Sequence, residues 1–242
     1  MGPFVGPPYE ALLNVTFTYR SDSTISNAFG RLKPVSQEAI VAFKKSQWLQ
    51  KPTDTEAEIT YQIGPDRTKE IAWMVSHCKT DSNREGIVSH LREISDLKID
   101  IFGKCGDREH RLPKQKGNSI GETMRNRGKV YQDVLKKYKF YLSFENALCQ
   151  DYITEKFFLA MYAGALPIVY GGLSKGDYEK IAPDHSFIHV DDYDTIEDLS
   201  NHLTYLSNNI EAYNSYFWWR QHYKVLDAYE TQWYVYFCSL FR

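Results

Sequence analysis

The chain has 242 residues, a formal net charge of −2, 43% hydrophobic and 25% charged residues, enough to bury a sizeable core as one large domain or two small ones. That charge gives no general reason to bind nucleic acid or an anionic membrane. No apolar run approaches the roughly 20 residues of a membrane helix, and Met1 to Pro8 lacks the basic start and apolar centre of a signal peptide.

In chain order, residues 1–33 are turn-rich around one strand-like run, Leu13 to Tyr19. Residues 35–50 suit a helix through Ala39, Ile40, Phe43 and Leu49, and residues 51–69 read as a polar linker with Pro52, Gly64 and Pro65. From Glu70 the pattern becomes regular. Ile71 to Val75 is a continuous apolar strand of the kind buried on both faces. Asn83 is placed to cap a helix whose apolar positions are Ile87, Val88, Leu91 and Ile94. A strand begins at Ile99 and closes at Gly103–Gly106, and Asp107 to Lys129 reads as a basic, mobile loop. Helix (129–137), strand (139–145), helix (154–163, stopped by Gly164) and strand (166–170) follow. Then come a strand at 187–190, a helix capped by Thr195 and a last helix at 209–219. Strands alternating with helices predict an α/β fold with a parallel sheet and right-handed crossovers.

The chemistry gathers where strand 139–145 gives way to helix 154–163. Asn146, Tyr152, Glu155 and Lys156 crowd this join, and parallel α/β sheets bind ligands outside the carboxyl ends of their strands. A lysine in a helix's first turn is unfavourable unless an anion sits there too. Glu155 beside it suits paired hydroxyls such as those of a ribose, and Tyr141 adds a neutral donor. Arg84, in the first turn after the first regular strand, would add a bidentate clamp for phosphate oxygens. Ser76 could donate to the same group. Taken alone, Arg84 reads more plainly as a solvated helix-surface residue. Gly171-Gly172 allows either close backbone approach to a ligand or a simple turn. Asp191-Asp192 resembles half of a metal-binding pair, although a solvated strand end is the simpler reading.

Asn14-Val15-Thr16 is a glycosylation sequon. The four cysteines show no zinc-ligand spacing. Cys78, Cys105 and Cys149 each follow a strand and could meet at one sheet edge. A Cys78–Cys105 disulfide is one outcome there, free buried thiols the other. The aromatic content of 15%, with 18 Tyr and 5 Trp, suits sugar handling, but a Tyr-rich core explains it more simply.

Several ordered stretches carry a family resemblance. Tyr138-Lys-Phe-Tyr-Leu-Ser-Phe-Glu-Asn146, Asp151-Tyr-Ile-Thr-Glu-Lys156 and Ala163-Gly-Ala-Leu-Pro-Ile-Val-Tyr-Gly171 resemble the signature of the α1,3-fucosyltransferases, glycosyltransferase family 10. Val75-Ser-His-Cys78 with Arg84, Ile99 to Gly106, Ser186 to Tyr193 and Asn14 to Ser23 resemble further family segments in the same order. The resemblance covers about residues 12–220 and implies a GT-B architecture. Its expected parts are a remnant of the acceptor domain and linker (1–68), a Rossmann-like GDP-fucose-binding domain (69–220) and an aromatic C-terminal tail (221–242) that could pack back across them.

The resemblance further implies inverting transfer of fucose from GDP-β-L-fucose to an N-acetylglucosamine hydroxyl of a glycoprotein or glycolipid glycan, giving an α1,3 linkage. No metal or other cofactor is obligatory, although a divalent cation could stimulate the reaction. Ser76, Arg84, Tyr141, Asn146 and Tyr152 would contact diphosphate or fucose, and Glu155 and Lys156 the ribose and phosphates. The expected location is the lumenal side of the Golgi membrane, by a membrane anchor of the full-length family. The family's general-base Glu lies in a Glu-Ser-Pro motif that occurs nowhere in this chain, so the expectation is an N-terminally truncated member whose catalytic base lies upstream of Met1. Thr24 and Phe29-Gly30 also depart from the family pattern, which has Asp and Tyr-Gly there. The alternative is a GDP-fucose-binding member without transferase activity.

Overall fold

The computed structural model describes residues 17–26, 29–45, 47–51, 63, 67–106, 110, 112 and 120–227. Asn14, most of the 51–69 linker and the tail beyond Asp227 lie outside them. Phe17–Thr18 (β1) pairs in parallel with Ile25–Ser26 (β2). Gly30–Pro34 (β3) leads into helix Gln37–Lys44 (α1), where Ser36 accepts from the Ala39 amide as N-cap.

The central sheet comes from strands Lys69–Met74 (β4), Ile99–Phe102 (β5), Tyr138–Phe144 (β6), Leu166–Tyr170 (β7) and Ile188–His189 (β8), all parallel, in the order β5-β4-β6-β7-β8. The connecting helices are Arg84–Ile94 (α2), Ile120–Leu135 (α3), Glu155–Ala163 (α4) and the short Lys175–Tyr178 (α5). Ile196–Asn208 (α6) and Ile210–Ser215 (α7) follow, and Tyr223–Asp227 (β9) closes the described chain.

Alternation along the strands sorts the core into layers. Ile71, Trp73 and Val75 join Val88, Leu91, Leu199 and Leu203 on the face covered by α2 and α6. Ala72 and Met74 face the other way, against Leu135, Leu159 and Ala160 of α3 and α4. The sheet is therefore covered on both faces, which is why its strands read as continuous apolar runs. Thr195 caps α6 through the Asp198 amide, and Gly164 ends α4 at φ 75°, a left-handed position that costs glycine little.

Three local expectations are corrected. The segment read as loop up to Lys129 is helical from Ile120; Gly121 and Gly128 interrupt its apolar spacing in the sequence. Asn83 occupies the N-cap of α2 but at φ 51°, and its side chain makes no capping bond. The 209–219 helix stops at Ser215, followed by a 3-10 turn at Trp218–Gln221. One pairing was not anticipated: β3 and β9 form an antiparallel pair, Gly30 opposite Asp227 and Pro34 opposite Tyr223. Trp218, Trp219, Tyr223 and Val225 pack there with Phe157, Phe158 and Leu32, so the start of the aromatic tail belongs to the core beneath α4.

Candidate functional site

The chain enters the sheet at β4, moves outward to β5, then crosses back to β6 on the other side of β4. This reversal leaves a crevice above the carboxyl ends of β4 and β6, the usual ligand position in doubly wound sheets. A cleft of about 230 Å³ lies there. Its polar wall is Ser76, His77, Arg84, Asn146, Glu155 and Lys156; Met74, Leu112, Tyr131, Tyr141 and Leu159 form a less polar end. Six of the seven residues expected to contact a donor thus line one cavity. Tyr152 stands behind it, donating its hydroxyl to Asn146 Oδ1 at 3.2 Å and meeting the Tyr19 ring edge-on at 5.2 Å.

Arg84 is not the solvated residue its position suggested. Only 2% of it is exposed. Its Nη1 donates to the Phe144 carbonyl at 2.6 Å, its Nη2 to the His77 carbonyl at 3.3 Å, and its guanidinium lies 5.6 Å from the Trp73 ring centre. Nε is buried without a partner. Burial lowers the Arg84 pKa, opposed by the negative charge of Glu145 and by nearby tyrosines; the group nonetheless stays cationic. A buried cation bonded only to backbone carbonyls, with its Nε unpartnered, is poised for an anion. The turn before it is locked in place. Ser82 Oγ donates to the Glu145 carbonyl at 2.7 Å, and the Tyr170 hydroxyl donates to the Ser82 carbonyl at 3.1 Å.

The start of α4 holds a carboxylate that sequence reasoning passed over. Glu145 is 1% exposed. Its Oε1 accepts from the Thr154 amide at 2.9 Å and the Thr154 hydroxyl at 2.7 Å, and its Oε2 accepts from Lys156 Nζ at 2.9 Å. Lys156 Nζ also donates to Thr154 Oγ1 at 2.6 Å and lies 3.5 Å from Glu155 Oε1. Thr154 stands at the N-cap of α4 but makes no side-chain capping bond, because its hydroxyl is committed to Glu145. The anion that a lysine in this turn requires is therefore already present as Glu145. Burial pulls the Lys156 pKa down, but Glu145 and Glu155 outweigh it and the net shift is upward. Arg84, Lys156 and Glu155 of the wall carry a formal charge of +1, which Glu145, paired with Lys156 behind the wall, cancels. The signal available in the sequence was a Glu directly after an apolar strand, which ordinarily reads as a strand end reaching solvent.

Ser76 is exposed on the cleft wall, and Tyr141 lies within β6 with burial first, then nearby carboxylates, raising its phenol well above the ordinary range. It therefore stays protonated as a donor. Cys78 and Cys105 form the disulfide, with Cα atoms 5.4 Å apart, tying together the loops after β4 and β5; Cys149 is free. Gly172 packs on its own chain: a Cβ there would come within 2.4 Å of the Leu148 carbonyl carbon. Gly172 thus serves loop packing, whereas a Cβ at Gly171 would make only ordinary contacts with the Glu145 side chain, at 3.4 and 3.5 Å. Asp192 pairs with Lys175 at 2.9 Å, and among the described residues no three His, Cys, Asp or Glu side chains cluster to hold a metal ion.

Comparison with known proteins gives consistent results. The chain is 34% identical over 217 residues to alpha-(1,3)-fucosyltransferase C of Drosophila melanogaster, covering 89% of this chain and 47% of that protein. It is 34% identical over 231 residues to the 4-galactosyl-N-acetylglucosaminide 3-alpha-L-fucosyltransferase FUT5 of Homo sapiens, covering 95% and 51%. The chain thus spans about half the length of these curated relatives. A solved structure, an alpha1,3-fucosyltransferase with GDP-fucose, aligns over 63% of this chain and 39% of its own with TM-score 0.49 and 21% identity. Residues 64–242 match the model of the glycosyltransferase family 10 (fucosyltransferase) C-terminal region, and the chain belongs to that family.

Proposed function

We propose that the chain carries the donor-nucleotide half of an α1,3-fucosyltransferase of GT-B architecture, binding GDP-β-L-fucose in the cleft above β4 and β6. The observation that carries this reading is Arg84, a buried cation with an unpartnered Nε in the wall of a cavity at the sheet's switch point. On this reading residues 69–220 form the donor domain, residues 1–68 belong to the acceptor side, and 221–242 close against both.

In the reaction, an N-acetylglucosamine hydroxyl attacks the anomeric carbon of fucose as the bond to the β-phosphate breaks. The configuration inverts and the acceptor proton passes to a base. Arg84 and Lys156 stabilise the negative charge growing on the leaving diphosphate, where a metal ion would otherwise serve. Ser76, Tyr141 and Asn146 donate hydrogen bonds to phosphate or sugar oxygens, Tyr152 orients Asn146, and Glu155 accepts from the ribose hydroxyls. The base is assigned to the acceptor half. The Cys78–Cys105 disulfide and the Asn14 sequon suit an oxidising, lumenal setting, in keeping with the Golgi location proposed here for the full-length, membrane-anchored protein.

The test is transfer of labelled fucose from GDP-fucose to an N-acetylglucosamine-terminated or lacNAc-type glycan, run beside a GDP titration. Transfer supports the full reading. Donor binding without transfer assigns the chain to the non-catalytic alternative, since loss of a general base costs about 10²–10⁴-fold in rate. A folded sample that binds no GDP refutes both.

A further inference from the structure

Glu145 does not itself line the cleft; it lies directly behind Lys156 of the polar wall, is 1% exposed, and has no role in the proposed reaction. Every contact of its carboxylate leads to Lys156. One oxygen is fixed by the amide and hydroxyl of Thr154, and the other takes the ammonium at 2.9 Å. Thr154 Oγ1 receives a second proton of the same ammonium at 2.6 Å. Two of the three donors of Lys156 are thereby directed away from the cleft and into the first turn of α4. Glu145 itself has no freedom to move, because its own amide donates to the Tyr170 carbonyl at 2.9 Å and its carbonyl accepts from Ser82.

We propose that Glu145 is a positioning residue that acts through Lys156: it holds the ammonium back against α4 and limits the positive charge the cleft presents to a nucleoside diphosphate. This rests on the donor-site reading above. The physical content is an internal anion competing with the ligand for one lysine. Binding an anion to a site whose wall charge of +1 is cancelled by Glu145 behind it is weaker than binding to that wall alone, so the competition keeps product affinity low enough for the diphosphate to depart. A purely structural Glu145 would act otherwise. Its near-isosteric replacement by Gln, which keeps an acceptor for the Thr154 amide, would then be mild, and shortening to Asp would be the more damaging change.

The proposal predicts the opposite ranking. By calorimetric titration of the whole chain with GDP, Glu145→Gln should tighten binding about tenfold, the order expected for removing one charge at this range. Glu145→Asp should stay within about threefold of the parent, because it keeps the charge. In a Lys156→Met background, Glu145→Gln should change GDP affinity by less than about twofold, since the lysine through which it acts is gone. A ligand-free measurement accompanies these. Amine acylation of Lys156, followed by peptide mass spectrometry, should speed up at least about tenfold in Glu145→Gln as the charged pair is lost, while Lys69, paired with Asp100 at 2.8 Å, keeps its parent rate. Weaker GDP binding in Glu145→Gln than in Glu145→Asp, or an undiminished effect without Lys156, overturns the proposal. Unchanged Lys156 acylation overturns it as well, whether or not GDP binds. Absence of GDP binding in the parent chain, with the acylation result as expected, refutes the donor-site reading and leaves the Glu145–Lys156 link standing.

Discussion

The two ends of helix α4 obey one electrostatic rule and serve different purposes. At the carboxyl end, Arg220 donates to the Met161 and Tyr162 carbonyls at 2.5 and 3.4 Å, and Arg67 to the Ala163 carbonyl at 2.7 Å. Arg67 reaches further, to the Leu135 and Tyr138 carbonyls at 3.1 and 2.5 Å, so it ties α4 to the end of α3. At the amino end, the Glu145 carboxylate takes the free Thr154 amide. Cations meet the negative end of the dipole and an anion the positive end, as the aligned peptide dipoles demand. The carboxyl end fastens helices together, whereas the amino end opens on a cleft, with Lys156 held between Glu145 and the space beside Arg84. The same helix terminus chemistry yields a structural clamp where it is closed over and the polar wall of a cleft where a cavity adjoins it.

That contrast can be broken in graded steps. The largest effect on ligand binding is expected from Arg84→Ala, which should weaken GDP binding by about 100-fold, the loss of charge-assisted bonds to a diphosphate. Isothermal calorimetry checks it, with circular dichroism confirming the fold. At the opposite end of α4, Arg67→Ala should lower unfolding free energy by about 2–3 kcal/mol through unsatisfied carbonyls, read by urea denaturation, while GDP affinity per folded molecule stays within about twofold of the parent. If Arg67→Ala impaired binding as much as Arg84→Ala, the division between clamp and cleft wall would fail. Lys156→Ala should weaken GDP binding about tenfold, and Lys175→Ala, whose partner Asp192 is on the surface, should leave it unchanged.

A pair remote from the cleft supplies the smallest effect. Burial would raise the Asp100 carboxyl, but hydrogen bonds from Lys69 and Tyr138 hold its pKa below the ordinary 3.8. A carboxyl depressed in the folded state adds stability above its unfolded pKa and loses it as pH falls through the folded value. Asp100→Asn should therefore flatten the decline in stability below about pH 4, measured as melting temperature against pH. An unaltered acid limb would show that the Lys69–Asp100 pair contributes nothing to it.

Much of the sheet was legible in the sequence because its strands are buried on both faces, so Ile71 to Val75 and Leu166 to Tyr170 stand out as apolar runs without any periodicity. The convergence of Arg84, Asn146, Glu155 and Lys156 followed from placing each at the carboxyl edge of a parallel sheet. Glu145 was not legible in the same way. Its burial is produced by the turn at Thr154 folding over it, a tertiary event nine residues downstream, while its local sequence gives only a charge after a strand. The burial of Arg84 likewise depends on the Phe144 carbonyl, 60 residues away. The β3–β9 pair joins segments at opposite ends of the chain, and no local propensity specifies such a partner. Helix α3 escaped detection at its start because Gly121, Gly128 and the polar run between Met124 and Lys129 interrupt the apolar spacing begun by Ile120 and Met124.

The proposed nucleoside diphosphate site in the cleft at the β4/β6 switch point depends above all on Arg84. Calorimetric titration of the folded chain with GDP, beside the Arg84→Ala variant, tests it most directly. Saturable one-to-one binding in the parent and about a 100-fold loss in the variant is the predicted result. Equal affinity in both, or none in the parent, would contradict it.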